Sequence, residues 1–168
     1  AAEGEWFLNS AATSREDNHF SEAIVNELSL SYCIDEDRLY AIGYSLGSMF
    51  TYEIACQLNH RFAAVASFAG TMPVSPETCN LYGSMAVMHI HGKLDYIIDY
   101  DDDWDWKDGE HEGVGTMSSV PGMIDSWAAR ADCQNSETEA DFFLEHISHS
   151  ECFGDTRIEH YGIELHEH

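Results

Sequence analysis

Five residues constrain this chain more than any others: Gly43-Tyr44-Ser45-Leu46-Gly47, lodged between an apolar run and a helix-forming segment. Gly-x-Ser-x-Gly at a strand-to-helix junction is a sharp, strained turn that holds a serine hydroxyl in the open. Both glycines are expected to be required, because a side chain at either would crowd the strand or the helix. Residues 38–43 read as a mostly buried strand, and residues 48–59 as a helix with Met49, Tyr52 and Cys56 along one side. Two more short apolar runs, 62–70 and 85–91, read as buried strands, and 157–163 as a final one. Residues 118–131 form a second expected helix with Met123, Ile124 and Trp127 inward. Upstream, Phe20, Ile24 and Leu28 fall at four-residue steps, the apolar stripe of an amphipathic helix that Asp17 or Asn18 would cap. Strands alternating with helices imply an α/β architecture, a mostly parallel sheet with helices on both faces.

A serine is a weak nucleophile until a base takes its proton and a carboxylate holds that base in the correct tautomer. The segment His91-Gly92-Lys93-Leu94-Asp95 follows an expected strand by a short loop, which puts Asp95 at the carboxyl end of the sheet, on the edge that carries Ser45. Taken without Ser45 upstream, Asp95 reads better as a turn residue. The net charge of -24, from 31 acidic against 7 basic residues, argues against a nucleic-acid or anionic-membrane partner. No apolar run approaches the roughly 20 residues needed to span a bilayer. The five cysteines have no C-x-x-C spacing, so disulfides in an exported protein fit better than a zinc or redox site, and the odd count leaves one without a mate in this chain.

Residues 37–49, 61–66, 91–100, 127–133 and 161–168 together resemble segments of the polyhydroxybutyrate depolymerase and feruloyl esterase family of α/β-hydrolases. Residues 37–49 carry the family's strand, elbow and helix start, and 61–66 the strand that follows. Residues 91–100 are similar to its H-G-x-x-D-x-x-V-x-Y segment, and 127–133 to its W-x-x-x-N-G-C segment. Residues 161–168 are similar to the strand that leads into G-G-G-H-x-W-P. The resemblance implies a serine carboxylic-ester hydrolase with Ser45 as nucleophile, Asp95 as acid and His168 as base, in the order Ser, Asp, His. It implies the backbone N–H of Leu46 as one oxyanion donor, with a second donor expected upstream of Ala1. It also implies a Cys133–Cys152 disulfide, with Cys56–Cys79 as a further pairing, no cofactor, and secretion. The implied substrates are feruloyl or acetyl esters of plant polysaccharide, or a polyhydroxyalkanoate. Residues 1–168 then form one catalytic domain that lacks the family's first strands and the segment after the base. Ser48 stands where the family has a further glycine, and Leu165, His166 and Glu167 replace the glycines before the base, so His166 rivals His168.

Other patterns admit other chemistry. His89 and His91 share one strand face and could join His166 and His168 in a zinc site, but His91 already belongs to the H-G-x-x-D segment, so no metal is expected. The acidic run 99–110 reads as a surface loop with enough carboxylates for Ca²⁺ but without the EF-hand order. Trp104 and Trp106 within it either stack on a sugar or phenolic group near the cleft or pack onto the domain. The rival to an esterase is a non-catalytic extracellular module that binds Ca²⁺ or carbohydrate through that loop.

Overall fold

The computed structural model describes residues 5–9, 13–76, 78–79, 85–107 and 111–168. The elements are α1 (Glu16–Ser31), β1 (Tyr40–Tyr44), α2 (Leu46–Gln57), β2 (Ala64–Phe68), β3 (Ala86–Gly92), α3 (Val120–Arg130), β4 (Asn135–Ala140), β5 (Leu144–Ser150) and β6 (Ile158–Ile163). One six-stranded sheet runs in the order β1-β2-β3-β6-β5-β4. The pairs β1–β2, β2–β3 and β3–β6 are parallel, while β5 is antiparallel to both β6 and β4. This is an α/β-hydrolase sheet, with each expected apolar run forming a strand.

The helices pack on the sheet face that carries the cross-strand row Ala41, Val65, Val87 and Ile158, all buried. Tyr52 of α2 stacks on Trp127 of α3 with ring centroids 5.9 Å apart, which joins the two helices over this row. Burying apolar area of this kind contributes roughly 25 cal/mol per Å². Helix α2 is buried from Ser48 through Cys56, more completely than one apolar side would require. Two disulfides tie loops to this layer, Cys56–Cys79 beneath α2 and Cys133–Cys152 beside α3, and Cys33 is free and exposed.

Two expectations about α1 need correction, and the described helices cover one face of the sheet: Tyr40, Ile42, Tyr44 and Met88 lie exposed on the face opposite α2, Ile42 at 74%. The strands are apolar on both sides, as strands of a doubly covered sheet are, so composition alone reads as two layers of cover. The stripe on α1 also points outward, with Phe20, Ile24 and Leu28 at 51%, 43% and 42% exposure, whereas Asp17 and Asn18 are buried. Neither of these two caps α1, which starts earlier, after Arg15; Asp17 instead accepts a hydrogen bond from the Phe7 N–H at 2.8 Å. Finally, the polar stretch between Cys133 and Cys152 is the β4–β5 hairpin. Its first strand is exposed at every position, so it lacks the period-two apolar signal that marks a half-buried strand. No described helix is long and apolar enough to cross a membrane.

Candidate active site

Ser45 closes β1 and opens α2 with φ 52° and ψ -126°, a conformation that L side chains rarely adopt. Hydrogen bonds hold it there. The Ser45 N–H donates to the Phe68 carbonyl at 2.9 Å, and its own carbonyl accepts from the N–H groups of Ser48 at 2.9 Å and Met49 at 3.1 Å. Gly43 is required because a Cβ there would lie 2.1 Å from the Gly47 carbonyl oxygen. Gly47 is not required in that sense: a Cβ there would meet only Trp6 Nε1, at 3.8 Å. Close packing of the elbow therefore rests on the first glycine. Leu46 is the first residue of α2, where a helix leaves N–H groups without intrahelical acceptors.

Asp95 lies in the turn after β3, buried, and four N–H groups converge on its carboxylate. Ile97 and Ile98 donate from the backbone to Oδ1, each at 2.9 Å. On Oδ2, His168 Nδ1 lies at 2.7 Å and His91 Nε2 at 3.1 Å. Burial alone would raise the Asp95 pKa, but the bonds from Ile98, His168 and Ile97 outweigh it and hold the carboxyl below its ordinary value. An ionised carboxylate only accepts, so Nδ1 of His168 carries the ring proton and Nε2 presents a lone pair. Ser45 Oγ sits 2.9 Å from that Nε2 and donates to it.

The terminal loop reaches this position because Gly92 lets it pass: a Cβ there would lie 2.3 Å from the His166 carbonyl oxygen. That carbonyl accepts from the Leu94 N–H at 3.0 Å, which pins the loop beside the Asp95 turn. His166 is exposed, and it is His168 that bridges Asp95 and Ser45. Tyr44 packs beside His168 with ring centroids 5.2 Å apart.

Comparison with known proteins was made against this geometry. The model of the Phospholipase/Carboxylesterase family matches residues 7–105. The chain belongs to the phospholipase/carboxylesterase family. Relatives of this family member include a Nocardia uniformis protein named as an esterase, NocK, 36% identical over 51% of the chain and 25% of that protein. A bifunctional acetylxylan esterase/xylanase of Neocallimastix patriciarum is 29% identical over 50% of the chain and 12% of that protein. Feruloyl esterase B of Piromyces equi is 26% identical over 56% of the chain and 18% of that protein. The chain thus spans a quarter or less of these relatives. Among solved structures, the acetyl xylan esterase from Aspergillus awamori superposes with a TM-score of 0.67 at 14% identity, over 98% of this chain and 68% of that one. At that identity the likeness speaks for the fold.

The remaining expected residues of this phospholipase/carboxylesterase-family chain fall as follows. Trp104 and Trp106 pack edge-to-face, 4.9 Å apart, and lie against the core; no described contact ties them to Ser45 or His168. The acidic loop uses its carboxylates locally: Asp99 accepts from the N–H groups of Asp101 and Asp102, Asp103 from that of Ser119, and Asp105 from the Thr116 hydroxyl. Asp108, Gly109 and Glu110 of that run lie outside the described residues. His89 and His91 are buried and bonded to one another at 3.1 Å, and among the described residues no group of three metal-binding side chains occurs.

Sequence reasoning missed the cluster these histidines form. His89 lies in register with Ser67 on one side and His160 on the other, so three polar side chains line one row of the sheet beneath α2. Its one signal was polar residues at i and i+2 in an otherwise apolar strand. Burial lowers the pKa of each imidazole: His89 lies well below its ordinary value, and its neighbours His91 and His160 depress it further. His91 is lowered although the Ile98 carbonyl and Asp95 pull upward, and His160 falls to about 4.

An unfolded chain protonates these rings as pH falls through about 6.5, whereas the folded chain does so only well below, so acidification destabilises the fold until the folded-state values are passed. His160 alone should cost about 2 kcal/mol between pH 7 and pH 5, and His89 and His91 add with the same sign. Urea unfolding in about 1 M NaCl screens the carboxylate repulsion that also changes over this range. The midpoint at pH 5 is expected below that at pH 7; an equal or higher one contradicts neutral burial of the cluster.

Proposed function

We propose that this chain is the catalytic part of a secreted serine esterase that hydrolyses carboxylic esters through an acyl-enzyme. The observation that carries the reading is the hydrogen-bonded line from Ser45 Oγ to His168 Nε2 and from His168 Nδ1 to Asp95 Oδ2, at 2.9 and 2.7 Å. Ser45 Oγ attacks the ester carbonyl carbon as His168 Nε2 takes its proton, and the Leu46 N–H stabilises the oxyanion. Collapse expels the alcohol, which leaves with the proton from His168. Water, deprotonated by the same nitrogen, then releases the acid and restores the Ser45 hydroxyl. Throughout, Asp95 holds the imidazole in its working tautomer and offsets its positive charge.

Esterase-named relatives support the reaction class, and those named for feruloyl or acetylxylan esters suggest such an ester of plant polysaccharide, with a polyhydroxyalkanoate as the other option. Two disulfides suit an exported protein. We read residues 1–168 as one catalytic domain completed, in the full-length protein, by further strands and by cover for the sheet face that exposes Ile42; the solved esterase that extends beyond this chain supports that reading. The test is hydrolysis of p-nitrophenyl butyrate and methyl ferulate by the full-length protein. Turnover is expected, and the preferred ester narrows the substrate; a folded protein inert toward both would count against the esterase.

A further inference from the structure

Behind Asp95, on the side away from Ser45, lies a continuous buried line of hydrogen bonds that the reaction just described does not use. Its direction follows from chemistry alone. His91 Nε2 lies 3.1 Å from Asp95 Oδ2 and 3.1 Å from the Ile98 carbonyl. Both partners only accept, so Nε2 carries the proton and Nδ1 of the neutral ring accepts. The partner of that Nδ1, at 3.1 Å, is His89 Nε2, which must therefore donate. His89 Nδ1 is then an acceptor, and two hydroxyls face it: Tyr52 at 2.7 Å and Ser67 at 3.2 Å. Ser67 Oγ is met in turn by Ser48 Oγ at 2.7 Å. From His89 onward the protons on this line point toward Asp95. Tyr52, Ser48 and Ser67 come from α2 and β2, His89 and His91 from β3, so the layers that carry the elbow and the acid are wired together.

From this geometry we propose that His91 is a positioning residue for Asp95, and that Tyr52 and Ser67, acting through His89, fix which nitrogen of His91 bears the proton. The inference rests on the esterase reading and extends it. Oδ2 is the oxygen that orients His168, and His91 Nε2 also lies against it at 3.1 Å, sharing its one proton between this oxygen and the Ile98 carbonyl. Removing the His91 donor frees the carboxylate to turn about its remaining anchors on Oδ1, and it leaves an acceptor site in a buried place unfilled. His168 then loses its fixed orientation. Ester binding does not depend on that orientation, so the loss should fall on kcat and spare KM.

The test compares the full-length protein with His91→Gln and His91→Asn. Glutamine carries an amide N–H about as far from the backbone as Nε2 and can reach Asp95, whereas asparagine is equally polar but too short. Expected results are a fall in kcat of about 10–100-fold for His91→Asn with KM within about 2-fold, and recovery to within about 5-fold of the parent for His91→Gln. In the parent, ¹⁵N shifts of His91 should show protonation at Nε2 and not at Nδ1, a readout that does not depend on turnover. Equal losses in both variants point to packing and overturn the proposal, as does unchanged kcat in His91→Asn, a loss confined to KM, or an Nδ1-protonated ring. If His91→Asn fails to fold, the ring tautomer and the kcat of His91→Gln decide. A parent protein with no Ser45-dependent hydrolysis overturns the esterase reading and this inference with it; a parent with that activity but indifferent to His91→Asn overturns this inference alone.

Discussion

Ser45→Ala is expected to lower kcat/KM for p-nitrophenyl butyrate by at least about 10⁴-fold. The alanine removes the one oxygen that lies 2.9 Å from His168 Nε2 at the end of the line to Asp95. No other hydroxyl can replace it: Ser48 and Ser67 are buried and bonded to each other at 2.7 Å on the far side of the elbow. What persists is whatever the oxyanion donors achieve with water as nucleophile, which typically keeps some 10³–10⁴-fold over the uncatalysed rate. The substitution should leave the fold intact, because the bonds that hold the elbow come from the Ser45 backbone and not from its side chain. Stopped assays with purified variant, checked by thermal melting, measure this. A loss of less than about tenfold would mean that another group performs the attack.

Asp95→Asn should be nearly as damaging, with kcat down by about 10⁴-fold. All four partners of the Asp95 carboxylate are N–H donors. An asparagine must turn its own NH₂ toward two of them. If it faces the Oδ1 side, it opposes the Ile97 and Ile98 amides; if it faces the Oδ2 side, it donates to His168 Nδ1 and forces the proton onto Nε2. An imidazole protonated at Nε2 has no lone pair there for the Ser45 proton, so the base is lost while the shape is kept. Carboxylate acceptance from charged or polarised donors also contributes stability, so a modest drop in melting temperature is expected alongside. A variant whose kcat stays within tenfold of the parent would remove Asp95 from the mechanism.

How much of this was legible in the sequence depends on where the information sits. The strands β1 and β2 are short apolar runs, β3 and β6 are largely so, and the elbow, the Asp95 turn and the terminal histidine are local motifs, so each could be read without knowing its neighbours. The face that α1 buries is not local. Its apolar stripe obeys the helical period, yet Phe20, Ile24 and Leu28 lie exposed while Asp17 is buried and accepts from the Phe7 N–H. The β4–β5 hairpin is polar on both sides, so no alternation marks it. The wiring behind Asp95 depends on register: only when Ser67, His89 and His160 align across three strands does a pair of polar residues in an apolar run become a buried network. The requirement placed on Gly47 failed for a similar reason. Motif symmetry suggests two equal glycines, whereas the close approach is one-sided, from Gly43 toward the Gly47 carbonyl.

The central claim is that Ser45 is an activated nucleophile, and covalent capture tests it without any assumption about the natural ester. The full-length protein, treated with a fluorophosphonate at neutral pH and digested for mass spectrometry, is expected to carry one phosphonyl adduct on Ser45, with no adduct in Ser45→Ala and much slower labelling in Asp95→Asn. A protein that stays unlabelled while folded, or that takes the adduct on another residue, would contradict the account.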